Sequence, residues 1–205
     1  MHIYERLRLH PDRPQIRQIR RAAELLRQGL FAVVPTDTTY AMMALPGSLD
    51  ALGEIRMLRD LDDRHLWALV CSDLSQAARY AQMDNSAHRI LKRSLPGPFT
   101  FILPASSQLS KRVFGKRRDI GIRIPEHGIC QMLLEELGQP LLTTSMQLPG
   151  EEHAVTDPDQ IHDRVRHLGC VMMDVGWCGM IPSTVIDLCG DAPEVLRHGL
   201  GEWGG

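Results

Sequence analysis

Leu30-Phe31-Ala32-Val33-Val34-Pro35-Thr36-Asp37-Thr38-Thr39-Tyr40 decides how this chain is read. Residues 30–34 are consecutive apolar residues running up to a proline, the pattern of a short strand covered on both faces. Thr36, Thr38, Thr39 and Tyr40 then surround one carboxylate, Asp37. In an open α/β sheet, ligands sit just beyond strand ends, where loop backbone and polar side chains converge. The same residues also suit a plain turn in which Thr36 and Asp37 bond their own backbone. The stretch alone leaves both readings open.

Working outward, strands alternate with helices. Ile16, Ile19, Ala23 and Leu26 recur at helical spacing before the stretch, with Asp12 placed to cap, Pro14 in the first turn and Gly29 at the end. After it, 47–59 reads as a helix with Leu49, Leu52, Ile55 and either Met57 or Leu58 turned inward. A charged loop over 59–65 leads to an apolar strand at 66–71. Helices begin at Ser72-Asp73-Leu74 and at Asn85-Ser86. Pro96-Gly97-Pro98 is a stiff turn into a strand at 99–104. Strands follow at 120–125, 141–145, 170–175, 181–188 and 192–197. Helices at 126–137 and from Asp157 to about 168 separate them. This order predicts an α/β fold in a single domain over 1–205, with its core at about 13–200.

Composition narrows the class. A chain of 205 residues with 43% hydrophobic and 23% charged residues is ordinary for a globular domain. A formal charge of −2 gives no global drive toward nucleic acid or membrane, so any basic face is local. Five cysteines without a CxxC pair read as reduced, mostly buried thiols in a cytosol. No apolar run approaches ~18 residues, so neither a leader nor a spanning helix is expected.

Several local signals stay ambiguous. Arg13, Arg17, Arg20, Arg21 and Arg27 share the outer face of the first helix, and Lys111, Arg112, Lys116, Arg117 and Arg118 crowd around Phe114. Both groups suit either solvent or RNA phosphates. Asp62 and Asp63 suit either solvent or a cation. Arg123 is sharper: a guanidinium between two isoleucines needs an acidic partner or an anion. There is no GxxxxGK[ST], HExxH or GxSxG. Gly199-Leu200-Gly201-Glu202-Trp203-Gly204 matches GxGxxG but opens no helix, so the mechanism of that motif is missing.

Taken together, five segments resemble one known family. Pro35-Thr36-Asp37-Thr38-Thr39-Tyr40 resembles PTDTVYGL of the YrdC-like family of L-threonylcarbamoyladenylate synthases. Pro96-Gly97-Pro98-Phe99-Thr100-Phe101-Ile102-Leu103 is similar to its PGPLTLVL, and Gly121-Ile122-Arg123-Ile124-Pro125 to its xxRxP. Pro182-Ser183-Thr184-Val185-Ile186-Asp187-Leu188 is similar to ESTVVDL, and Val195-Leu196-Arg197-His198-Gly199 to ILRxG. Thr143-Thr144-Ser145 with Leu148-Pro149-Gly150, and residues 71–75, resemble its YciO branch.

The resemblance implies a three-layer fold: a twisted, mostly parallel mixed sheet of about seven strands, flanked by helices, with a concave positive cleft. It implies a nucleotidyltransferase that joins L-threonine, bicarbonate and ATP into threonylcarbamoyl-AMP, with magnesium on the phosphates and no organic cofactor, for an adenosine in tRNA. Carried over by motif, Thr38, Arg123 and Ser183 hold threonine. Thr100, Ser145 and Arg197 face ATP, and Arg59 and Ser145 serve the chemistry. No second domain is expected after Gly199. Two motifs are not intact. The family's KxR reads Arg59-Asp60-Leu61 here, so the second cation is lost, and its SxN reads Ser145-Met146-Gln147. These changes imply weak or altered synthase activity, with Arg64 or His65 in position to compensate. The alternatives are a module binding tRNA or double-stranded RNA, and a nucleotide sensor without turnover.

Overall fold

The apolar runs assemble into one mixed sheet. In this computed structural model, residues 3–62, 65, 67–107 and 118–204 are described. The strands are β1 (Tyr4–Arg8), β2 (Phe31–Pro35), β3 (Tyr40–Ala44), β4 (Ala68–Val70), β5 (Phe99–Pro104), β6 (Asp119–Arg123), β7 (Leu141–Ser145), β8 (Cys170–Asp174), β9 (Thr184–Asp187) and β10 (Glu194–Arg197). The helices are α1 (Ile16–Arg27), α2 (Leu49–Arg59), α3 (Leu74–Ala77), α4 (Asn85–Ser94), α5 (Gly128–Leu137) and α6 (Pro158–Val165). The sheet order is β1-β8-β2-β3-β7-β4-β6-β5-β9-β10.

The mixed sheet with helices on both faces is as expected, but it holds ten strands among the described residues rather than about seven. Five of its nine pairings are antiparallel and four parallel, so it is more evenly mixed than expected. The extra strands have physical reasons. β1 is an edge strand rich in charge, with Arg6 bonded to Asp174 at 2.9 Å, so it lacks an apolar signature. β3 is Tyr-Ala-Met-Met-Ala, poor in β-branched residues. Its register on β2, with Pro35 opposite Tyr40, makes the organising stretch a hairpin whose turn is Thr36–Thr39.

Helix starts also move. α1 begins at Ile16 with Gln15 at its cap position, Asp12 caps nothing there, and Ile16 lies 47% exposed. Asp84 rather than Asn85 caps α4. Leu49 and Met57 face solvent, while Leu52 and Ile55 are buried.

Two apolar clusters separate the faces. One joins α1 and α5 to Ala32, Val34, Ala41, Met43, Val70 and Leu141. The other joins α2, α4 and α6 to the opposite face, including Phe101, Ile120, Ile122 and Leu142. By strand alternation, Ala68, Gly121, Ile102, Thr143 and Ser145 belong to the face that α1 and α5 cover, but they lie beyond the reach of those helices. That bare stretch of sheet becomes a floor. Arg123 on β6 reaches the β2–β3 turn across β4 and β7, bonding Thr38 at 2.6 Å, so the sheet curls over that floor. Among the described residues, no helix is long and apolar enough to cross a membrane.

Candidate functional site

The floor and the curl enclose a cavity of about 330 Å³. Its walls include Thr38, Arg59, Thr100, Arg123, Ser145, Ser183 and Arg197, so the structure brings together every site residue expected from the motifs outside the basic run.

The hairpin turn builds one wall. The Thr36 hydroxyl donates to the Thr39 carbonyl at 2.6 Å and accepts the amides of Thr38 and Thr39 at 3.3 Å, which fixes the turn. Thr36 thus makes the self-bonded turn expected of it, whereas the Asp37 carboxylate bonds outside the turn. Arg123 Nη2 donates to Asp37 Oδ1 at 2.7 Å, Thr38 Oγ1 at 2.6 Å and Thr36 Oγ1 at 3.1 Å. Asp37 Oδ2 accepts the Glu126 amide at 3.1 Å. The acidic partner that Arg123 required is therefore Asp37, and both side chains are about nine-tenths buried, at 7% and 10% exposure. Among the described residues only Nη2 of this fork is hydrogen-bonded, which leaves its other edge for an anion. Across the turn, Gly179 crosses so close to Thr38 that a Cβ there would lie 2.2 Å from the Thr38 carbonyl oxygen.

The opposite wall carries two more guanidiniums. Arg197, on β10, donates to the Ser183 carbonyl at 2.9 Å and lies 3.4 Å from its hydroxyl. That hydroxyl pairs with Thr100 Oγ1 at 2.8 Å. Arg59, at the end of α2, donates to the Ser145 carbonyl at 2.8 Å and to its hydroxyl at 3.2 Å. Burial pushes the Arg59 guanidinium below its usual value, and Arg197 pushes it further. Arg197 is lowered in the same way, by burial and then by Arg123. Three cations thus face one space, and among the described residues the only carboxylate paired with any of them is Asp37.

The departures from the motifs have visible consequences. Leu61 packs against the apolar cluster beneath α2, so that position offers no cation. Gln147 lines the cavity, but its amide nitrogen donates to the Glu151 and Glu152 carbonyls, both at 3.1 Å. The longer amide ties down its own loop. His65 lines the cavity and stands edge-on to Trp67, while Arg64 lies outside the described residues.

Of the basic run, Lys111, Arg112, Lys116 and Arg117 lie outside the described residues, and Arg118 is exposed. On α1, Arg21 pairs with Glu5 and Glu24, Arg20 lies 3.6 Å from Glu136, and Arg27 donates to the Glu136 carbonyl at 2.6 Å. Among the described residues, two of these arginines, Arg20 and Arg21, are paired with carboxylates within the chain. Asp63 is outside the described residues, and among those described no three His, Cys, Asp or Glu side chains cluster as a metal site. The hydroxyl clusters at Thr36–Thr39 and Thr143–Ser145, which the sequence offers at strand ends, both reach the cavity, whereas sequence reasoning missed the small floor residues Ala68 and Gly121. Only the cross-strand register identifies them.

Residues 24–199 match the family model Sua5/yciO/yrdC, described as telomere recombination. YciO of Escherichia coli K12 is 42% identical over 195 residues, covering 95% of both chains. Its crystal structure superimposes with a TM-score of 0.90, at 39% identity and 98% coverage of each chain. A threonylcarbamoyl-AMP synthase of Vibrio vulnificus is 26% identical over 153 residues, 73% of this chain and 82% of that protein. A crystal structure of P. abyssi Sua5 complexed with L-threonine matches with a TM-score of 0.84 and 26% identity, over 96% of this chain and 57% of that one.

Proposed function

From the premise that the chain belongs to the Sua5/YciO/YrdC family, we propose that its cavity binds L-threonine and ATP and joins them with bicarbonate into threonylcarbamoyl-AMP, with a weakened phosphate half. Arg123, Thr38 and Ser183 form the amino-acid end. A substrate carboxylate takes the unoccupied edge of the Arg123 fork while Asp37 fixes the other, a bidentate geometry that lysine cannot copy. Arg59, Arg197, Thr100 and Ser145 form the nucleotide end. No side chain here is arranged as a covalent nucleophile, so the site acts by orientation and by neutralising phosphate charge. Magnesium would come with the nucleotide: among the described residues the cavity lining offers hydroxyls, and the nearby carboxylate of Asp37 is held by Arg123, so phosphate oxygens and water would supply the ion's ligands.

The observation that carries this reading is the charge imbalance, three guanidiniums against one carboxylate around a polar cavity. Burial lowers Arg59 and Arg197 most, and a bound anion would offset the additional repulsion of Arg59 by Arg197 and of Arg197 by Arg123. The test is pyrophosphate release with ATP, magnesium, bicarbonate and L-threonine, using wild type, Arg123→Lys and Arg197→Gln. Threonine-dependent release that falls by about 10²-fold in either variant supports the reading. No threonine-dependent release, together with no saturable binding of either ligand, overturns it.

A further inference from the structure

A strap without regular structure, residues 175–183, joins β8 to β9 around one end of the sheet. Its Trp177, Met180 and Ile181 are 73%, 50% and 51% exposed, so its largest side chains do not hold it down. Its seat is polar. The Tyr40 hydroxyl donates to the Gly176 carbonyl at 2.8 Å and accepts the Val175 amide at 3.1 Å. The Gly176 amide donates to Asp174 Oδ1 at 2.9 Å, and Arg6 holds the other oxygen of that carboxylate. From this seat the strap crosses the β2–β3 turn, where Gly179 passes the Thr38 carbonyl too closely for any Cβ. It then joins the cavity wall at Pro182 and Ser183. The strap therefore links Thr38 to Ser183, whereas Arg59 and Ser145 are tied to each other.

Tyr40 reaches the strap from the side away from the cavity floor. Its ring is fully buried in the cluster that holds Phe31, Val33 and Met42, on the face opposite Ala41 and Met43. Its hydroxyl also meets the Cys178 thiol, so its polar partners among the described residues all belong to the strap. Burial raises this phenol above its ordinary value, so it stays protonated and keeps donating. A phenylalanine would fill the same space and leave the Val175 amide and the Gly176 carbonyl without this partner.

We propose that Tyr40 is a positioning residue: its hydroxyl pins the strap where it covers Thr38 and leads Ser183 into the wall, so the amino-acid end is assembled before its ligand arrives. This rests on the reading of the cavity as an L-threonine site. A loosened strap must be ordered on binding, and apparent affinity falls with the fraction of molecules in which it is seated.

The experiment measures L-threonine and MgATP binding by calorimetry, with amide hydrogen exchange over 175–181, for wild type, Tyr40→Phe, Gly179→Ala and the double variant. Gly179→Ala lifts the same strap at its other contact, because the new Cβ collides with the Thr38 carbonyl. Each single variant is expected to weaken L-threonine about 3–10-fold, leave MgATP within about twofold, and speed exchange over 175–181 while β3 stays protected. The double variant is expected to bind L-threonine within about twofold of the weaker single variant, since a released strap cannot be released again. Tyr40→Phe binding L-threonine as wild type does overturns this inference and leaves the L-threonine site standing. An equal loss of MgATP affinity, fully additive losses in the double variant, or a lowered melting temperature with unchanged L-threonine affinity also overturns it. If wild type binds no L-threonine with or without MgATP, the amino-acid site falls and this role falls with it.

Discussion

Replacing Asp37 by alanine removes the only carboxylate that, among the described residues, compensates Arg123. The pair is separated by 2.7 Å, and neither side chain is more than 10% exposed. The second Asp37 contact, from the Glu126 amide, lies at an exposed position where water can replace it. The cost is therefore concentrated on the stranded guanidinium. Thr36 and Thr38 still accept from Nη2, but they carry no charge to balance it. Breaking a buried ion pair by removing one partner costs about 3–5 kcal/mol. For a domain of this size each kcal/mol moves the midpoint by about 2–4 °C, so Asp37→Ala is expected to melt roughly 6–20 °C below wild type. Thermal unfolding by circular dichroism reads this directly. The double variant Asp37→Ala/Arg123→Met removes the stranded charge and is expected to recover most of the loss, an interaction energy of about 2–3 kcal/mol in the cycle. Additive single effects, or an Asp37→Ala loss below about 1 kcal/mol, would refute the claim that this pair is a buried and mutually dependent unit.

Three further outcomes follow from other parts of the structure. Gly121→Ala places a methyl 3.0 Å from the Ala68 Cβ, an overpacking expected to cost about 1–3 kcal/mol in chemical denaturation and to shrink the cavity floor. An unchanged denaturation midpoint would show that β4 and β6 can separate freely. Burial holds the His127 imidazole below its ordinary 6.5, against the opposing pull of Asp37. The unfolded chain therefore takes up this proton first as pH falls, so stability is full above about 6.5 and declines below it. His127→Gln is expected to flatten the melting-temperature profile between about pH 6.5 and 5, and an unaltered slope counts against it. Finally, Leu61→Arg with Gln147→Asn restores the two missing motif residues. It is expected to raise threonine-dependent pyrophosphate release at least tenfold, while costing about 1 kcal/mol of stability because Leu61 leaves its apolar contacts. A purified double variant that is folded and no faster than wild type would place the limit elsewhere.

What the sequence made legible was whatever depends on local chemistry. The β2 run, the strand at 141–145 and the Asp157 cap were readable because apolar continuity and capping act over a few residues. Arg123 was readable for a stronger reason: a cation flanked by isoleucines has few solutions, and Asp37 is one of them. β1 was hidden because an edge strand can carry charge on both sides of its alternation. β3 was hidden because alanine and methionine have no strand preference of their own, and its place is set by pairing with β2 and β7.

The floor of the site shows the limit most clearly. Ala68 and Gly121 are each unremarkable in sequence, and with Thr143 they are separated from one another by tens of residues. They meet because β7, β4 and β6 are neighbours in the sheet, with Thr143 opposite Ala68 and Ala68 opposite Gly121. Nothing in the chemistry of alanine or glycine announces a binding floor. Their small size matters only because α1 and α5 cover the other end of that face and leave this end bare. The cations could be recognised one at a time, since each guanidinium carries its own electrostatic demand. The space they enclose is a property of register and curvature, and a one-residue slip of β7 against β4 would turn Thr143 to the opposite face and fill the floor with Leu142. The cations of the site were thus written locally, whereas the shape of the space they face was written only in the order of the strands.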